Sequence, residues 1–227
     1  MKEQLQKDFK NIIESLTLSQ KDIEIKKFYL DNFISRGFPN RKEEDWKFSD
    51  LKQIINKNIG EISFYTDYTT TNKVDTSVYV DGLEHNKIVF INGRIEKIDF
   101  DYEKKDQIEI IDQSETINKF NNTNSLSDLN SAFTNKSFKI AVKKDYRLVK
   151  PLIIYHTTNS KIWSKNINLR LNFELSENSC LRLIDLYSDN SEKNFLNIFY
   201  NFDLKKDSIL KNYKVDKFKN KNIKYSF

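Results

Sequence analysis

Residues 168–188 read NLRLNFELSENSCLRLIDLYS, and residues 197–217 read NIFYNFDLKKDSILKNYKVDK. Laid one over the other at an offset of 29 (197 − 168), they need no gap. Asn168 falls on Asn197, Asn172 on Asn201, Phe173 on Phe202, Leu175 on Leu204, Ser179 on Ser208 and Leu181 on Leu210. Between these lie like-for-like swaps: Glu174 with Asp203, Cys180 with Ile209, Arg182 with Lys211. Self-similarity at a fixed period marks stacked architectures. Each copy holds an alternating strand (Leu169, Leu171, Phe173, Leu175; then Ile198, Tyr200, Phe202, Leu204). A polar corner follows, Ser176 to Ser179 or Lys205 to Ser208, and then a second alternating run: Leu181, Leu183, Asp185, or Leu210, Asn212, Lys214. Period-two alternation is the strand signal, and Asn, Asp and Ser satisfy turn backbone through their side chains. A strand–corner–strand unit of this period is too long for a hairpin register and suits one coil of a solenoid. Such a coil buries its apolar face only by stacking on the next. The expected fold is therefore mainly β with α, its last third being the start of a parallel β-helix. The alternative is a sandwich in which two antiparallel strand pairs happen to resemble each other.

Composition excludes several classes. In 227 residues, 38 Lys and Arg against 33 Asp and Glu leave a net charge of +5. The lysines are scattered among acids, which reads as a solvated mixed surface; nucleic-acid binding ordinarily needs clustered cations. The single cysteine rules out a disulfide within the chain and any Cys-cluster metal site, and it fits a reducing compartment. The first residues, MKEQLQKDFKNIIESL, are amphipathic and lack the apolar centre of a signal peptide. No run approaches the roughly 18 apolar residues of a membrane span. The expectation is a soluble, cytoplasmic chain.

Leu5, Phe9, Ile12, Ile13 and Leu16 place a helix over residues 1–17. Ser19 with Asp22 reads as an N-cap for a second helix presenting Ile25, Phe28, Tyr29 and Phe33. Gly37 and Pro39 end it. Ser49 is expected to cap a third helix through Leu51, Ile54 and Ile55, with Trp46 and Phe48 buried beside it. Arg41 and Lys42 precede Asp45 by four and three residues, within pairing distance on a helix, and Arg41–Asp45 is the expected ion pair. Glu43, Glu44 and Asp45 read as a solvated network with those cations rather than as acid/base groups. Residues 60–76 read as a connector. Strands follow at 78–80, 88–91, 94–98 and 108–111, with Asn92 and Gly93 as a two-residue hairpin turn. Residues 114–134 look helical in pieces, with Leu126, Leu129, Ala132 and Phe133 on one face. From Phe138 onward the chain reads as β, and Pro151 opens a strand over 152–155. No C-terminal cap follows the second repeat, so the sequence is expected to be the N-terminal portion of a longer protein.

Candidate chemical groups are few. Cys180 aligns with Ile209 and reads as a core position. His85 and His156 are far apart and lack a short ligand spacing, so no metal site is expected. No glycine-rich phosphate loop and no Gly-x-Ser-x-Gly occur among the four glycines. No catalytic, cofactor-binding or metal-ligating residue is expected.

The segment at 37–51, GFPNRKEEDWKFSDL, closely resembles the signature G-F-P-x-R-[KR]-x-E-D-W-K-[YF]-[ST]-x-L of the SufD branch of the SufB/SufD family. The matching positions are Gly37, Phe38, Pro39, Arg41, Lys42, Glu44, Asp45, Trp46, Lys47 and Leu51, read as structural. Residues 89–94, VFINGR, resemble the family's V-F-V-N-G-x hairpin, and 129–133, LNSAF, its L-N-x-A-F helix. Asn135, Lys136 and Ser137 stand where the family often has glycine. The resemblance covers most of the chain. It implies a helical region over 1–60, a mixed α/β region over 61–136 and, over 137–227, the first coils of a right-handed parallel β-helix. It implies a non-catalytic scaffold in iron–sulfur cluster assembly, with a SufB-like β-helix subunit and a SufC-like ABC ATPase as partners. Clusters form at the level of that complex, so this segment carries no cofactor of its own, and neither membrane nor nucleic acid is a partner. The competing readings are a β-helix carbohydrate-active enzyme and a basic nucleic-acid-binding protein.

Overall fold

A computed structural model describes residues 2–65, 73–113, 124–134, 136–188, 190–217 and 222–226. The helical reading of 114–123, the middle of the expected connector and Asn135 lie outside the described residues. The chain opens with three helices: α1 (Lys2–Ser15), α2 (Gln20–Arg36) and α3 (Leu51–Asn58). A two-residue strand β1 (Ser63–Phe64) follows, then β2 (Asn86–Ile91), β3 (Arg94–Asp99) and β4 (Ile108–Asp112). Helix α4 (Ser125–Phe133) precedes a run of strands: β5 (Ser137–Val142), β6 (Leu152–Thr157), β7 (Lys165–Leu175), β8 (Cys180–Ser188), β9 (Phe195–Leu204), β10 (Ile209–Lys217) and β11 (Ile223–Ser226).

Local chemistry explains most element ends. The Ser19 hydroxyl accepts the Asp22 backbone N–H at 3.2 Å and starts α2. Gly37, at φ 74°, ends it, its N–H donating to Phe33 O at 2.7 Å. The cap of α3 is Asp50, not Ser49: its carboxylate accepts the Gln53 N–H at 2.9 Å. The expected strand at 78–80 is not formed. Asp75 accepts from Ser77 N and turns Thr76–Val78 into a short 3-10 helix, and Val78, Tyr79 and Val80 then pack on Val89, Ile91, Ile153 and Tyr155.

From β5 onward, successive strands alternate between two sheets, and each pairs in parallel with the strand two places on. The fold is mixed α/β and mostly strand. One sheet runs β11-β9-β7-β5-β4, with β1 beside β7; the other runs β10-β8-β6-β2-β3. The pairs β4–β5 and β2–β3 are antiparallel, so both sheets are mixed. The repeat is literal. Asn168 pairs with Asn197 and Leu175 with Leu204, and Cys180 pairs with Ile209, all at an offset of 29 (197 − 168). The corners stack as well: Asp145, Asn178 and Asp207 all take positive φ (60°, 57° and 56°). An Asp or Asn tolerates that conformation where most residues do not.

Between the sheets lies one apolar layer built from the inward rows of β2, β5, β6, β7, β8 and β9, including Ile88, Ile140, Ile154, Leu171, Phe173 and Leu183. The helices form a second cluster on the outer face of the first sheet: Leu5, Ile12, Phe33, Leu51, Leu129 and Phe133 meet Phe195 there. Helix α4 is buried all round, its polar residues included. Asparagines repeated in the sequence dock it. Asn130 Nδ2 donates to Leu169 O and Asn197 O, and Asn197 Nδ2 donates to Leu126 O and Asn168 Oδ1. A polar helix is tolerated inside because most of its polar groups are bonded, the Ser125 hydroxyl excepted.

Asn92 and Gly93 form the β2–β3 turn, both at positive φ (52° and 79°). A Cβ on Gly93 would stand 2.9 Å from Ile167 Cγ2. Gly93→Ala therefore combines left-handed strain with overpacking and should cost about 2 kcal/mol or more. A denaturant midpoint measures this; an unchanged midpoint would show that Ile167 yields freely.

Candidate functional site

The signature residues line the edge of the helical cluster. Phe38 packs edge-on against Phe33 and Phe195, at 5.2 and 6.3 Å between ring centroids. Pro39 is buried, and its carbonyl accepts the Leu51 N–H at 3.1 Å. Arg41, Lys42, Glu44, Asp45 and Lys47 are exposed. Two expectations fail here. Trp46 is half-buried and tilts against Tyr225 at 5.7 Å, while Phe48 is 86% exposed. No Arg41–Asp45 ion pair forms among the described residues. The physical reason is shared: Glu44–Trp46 is one turn of 3-10 helix, so the i, i+4 spacing of an α-helix does not apply. Nothing in this segment converges on a point.

Convergence occurs instead between the sheets, where β6, β8 and β9 each turn polar groups inward. Asp185 follows Leu181 and Leu183 on the inward row of β8 and is fully buried. Its Oδ1 accepts the Tyr200 hydroxyl at 2.8 Å and lies 3.3 Å from His156 Nε2. Tyr200 Oη is 3.1 Å from the same Nε2 and 2.6 Å from Tyr187 Oη. The imidazole is stacked between Phe90 and Tyr187, at 5.5 and 4.6 Å. Asp185 Oδ2 is buried with no hydrogen-bond partner. A cavity of about 10 Å³ lies beside His156, lined also by Gly93, Thr157 and Leu196.

Two ammonium groups cover the rings. Lys224 Nζ sits 3.8 Å from the Tyr187 ring centroid and Lys214 Nζ 4.7 Å from that of Tyr200. Lys224 also pairs with Asp216, and Lys214 donates to Ser226 at 2.9 Å. Burial sets the proton equilibria. It lowers the His156 pKa, opposed by the hydrogen bond to Asp185, and pushes the Tyr187 and Tyr200 phenols well above their ordinary value, with the Asp185 charge adding to the rise. The cluster is then a buried carboxylate held by neutral donors, with its positive countercharge at its rim.

Cys180 and Ile209, expected in the core, point outward: Cys180 is half-buried and Ile209 is 41% exposed. Leu181 and Leu183 hold the inward positions, so strand parity sends Cys180 the other way. His85 serves the opposite face of the second sheet, its Nε2 2.7 Å from Tyr155 Oη, and never meets His156. Asp185, Tyr187 and Tyr200 were not singled out by sequence reasoning. The available signal was an acid on the inward parity of an apolar run. Among the described residues no three His, Cys, Asp or Glu side chains group to hold a metal, and no helix is long and apolar enough to cross a membrane. No family model matches the chain, and no curated protein matches it.

Proposed function

We propose that this chain is a scaffold subunit of an iron–sulfur cluster assembly machine of the SufB–SufC–SufD kind, with no catalytic step of its own. The observation that carries the reading is the signature at 37–51, followed in order by VFINGR and LNSAF. Packing supports treating the three segments as one unit. Phe38, Leu51, Leu129, Ala132 and Phe133 belong to one cluster, and the VFINGR turn abuts Ile167 of β7. Read this way, β5 to β11 are coils of a right-handed parallel β-helix, the helices orient the first coils, and the strands offer a second β-helix its docking surface. The partners are a SufB-like subunit and a SufC-like ABC ATPase in the cytoplasm, and the reading gives neither nucleic acid nor membrane a part.

Affinity capture of the native protein from its own cell lysate, with mass analysis of everything retained, tests it. The expected result is stoichiometric recovery of an ABC-type ATPase together with a second subunit carrying the same kind of strand repeat. Recovery of the chain without either would overturn the scaffold reading and leave the fold untouched.

A further inference from the structure

We propose that the outer face of β8 and β10 is a docking surface for an acidic, apolar peptide segment of a partner protein. The inference rests on the face itself and does not depend on the scaffold reading.

Strand parity sends Arg182, Ile184 and Leu186 of β8 outward, and with them Lys211, Tyr213, Val215 and Lys217 of β10. Register sets them in rows: Arg182 beside Lys211, Ile184 beside Tyr213, Leu186 beside Val215. The other half of this sheet face already carries a cover. Val74, Val78, Tyr79 and Val80 pack with Val89, Ile91, Ile153 and Tyr155, and that cluster reaches as far as Ile184 and Leu186. Val80 N donates to Tyr155 Oη at 3.1 Å, and the Tyr79 ring stands 5.0 Å from that of Tyr155. β10 lies beyond the cover: Tyr213 is 58% exposed and Val215 40%. One apolar stripe is thus half covered by the chain's own segment and half open.

Charge identifies the occupant. Arg182, Lys211 and Lys217 are exposed on this face, and none forms an ion pair among the described residues. Arg182 donates to Val149 O at 2.9 Å, a neutral partner. The acids of the two strands belong to the inward rows: Asp185 is fully buried, and Asp216 pairs with Lys224. The open rows therefore carry cations and no carboxylate. The segment over the other half has the opposite sign. Residues 74–81 read VDTSVYVD, with Asp75 and Asp81 and no cation. Lys87 and Lys97 meet it there, each 5.9 Å from the Tyr79 ring centroid. The sheet thus already holds one acidic, apolar stretch of chain on this side. Lys211 and Lys217 are six residues apart (217 − 211), roughly 20 Å along the strand. An extended segment with acids at that spacing, and apolar or aromatic residues between them, reaches both cations while it covers Tyr213 and Val215. Burial of those two side chains supplies affinity, and the charges set the register.

The test is a selection from a random peptide display library against the full chain, followed by fluorescence anisotropy of the enriched peptides. These should carry acids on either side of an apolar or aromatic centre. Tyr213→Ser should weaken their binding by at least ~10-fold, as the loss of a central anchor does. Lys211→Glu combined with Lys217→Glu should weaken it as much and remove most of its dependence on salt. All three residues are exposed, so circular dichroism and melting should match wild type. If a variant does not fold, wild type still decides: a photo-crosslinking version of the peptide should attach within β8 or β10. Attachment elsewhere, enrichment of basic or uncharged peptides, or no enrichment would each overturn the proposal. So would either rival occupant, if it binds wild type but not Tyr213→Ser while no acidic peptide binds: phosphatidylglycerol vesicles, or a second copy of the chain seen by sedimentation.

Discussion

The unfolding free energy should rise by about 1.4 kcal/mol for each pH unit between about 7 and 10, some 4 kcal/mol in all, because of Lys26 alone. This lysine of α2 is fully buried. Its ammonium donates to Thr134 O at 2.6 Å and Ala132 O at 3.4 Å, capping the C-terminal end of α4. Burial first, and then the charge of Arg170, lower its pKa from 10.5 to about 7, with Asp22 opposing. In the folded chain the proton leaves near pH 7; in the unfolded chain it stays until about 10.5. Through that window the unfolded state binds one more proton, so raising the pH favours folding. Below about 7 both states are charged and the penalty is constant. Urea unfolding at intervals from pH 7 to 9 measures the slope, before buried Arg170, whose pKa burial lowers to about 10, titrates appreciably. Lys26→Met should flatten it to within about 1 kcal/mol, whatever the variant's absolute stability. A wild-type profile already flat would mean that Lys26 keeps an ordinary proton affinity through water or local opening.

Phe173→Ala should lower stability by about 3–5 kcal/mol, the usual cost of emptying an aromatic site in a packed interior. Phe173 is buried on the inward row of β7. Its ring stacks on Phe202, its repeat counterpart, at 5.2 Å, and lies 6.3 Å from Tyr200. Both sheets pack on this layer, so the hole cannot close without moving strands that neighbours hold in register. The melting temperature should fall on the order of 10 °C for a chain of this size. Phe202→Ala is the control. That ring is only partly buried, and its loss should cost distinctly less. Equal costs would mean that the layer between the sheets relaxes as readily at its centre as at its margin.

These two sites differ in how far they could be read in advance. Phe173 was legible: its alternation, its repeat partner and its burial all follow from local parity. Lys26 was not, because it occupies a position next to Ile25 on a helix whose stripe gives no hint that a charged neighbour is enclosed. What encloses it is α4, a polar segment whose burial depends on Asn130 and Asn197 bonding across 67 residues. The third stacked corner, at Asp145, escaped notice for a similar reason. It sits 33 residues before Asn178 (178 − 145), not 29, because two extra residues lie between the corner and β6 and two more between β6 and β7. Self-comparison at a fixed offset is blind to such insertions, whereas strand stacking is not, since the extra residues bulge outside the paired segments. Trp46 shows the opposite failure. A strong local pattern suggested burial, and a single 3-10 turn left the ring half in solvent.

By itself the sequence determined most of the strands, the parity of the repeat, the polar corners, the caps at Ser19 and Gly37, the tight turn at Asn92 and Gly93, and the 29-residue register that β7–β9 and β8–β10 obey. All of these depend on side chains acting within a few residues or on a repeat of constant length. Only the tertiary structure decided that residues 156, 185, 187 and 200 share one point and that α4 is enclosed. Those outcomes depend on which strand lies over which. That is set by the summed burial of the whole layer and by loops of unequal length, neither of which any local stretch of the chain records.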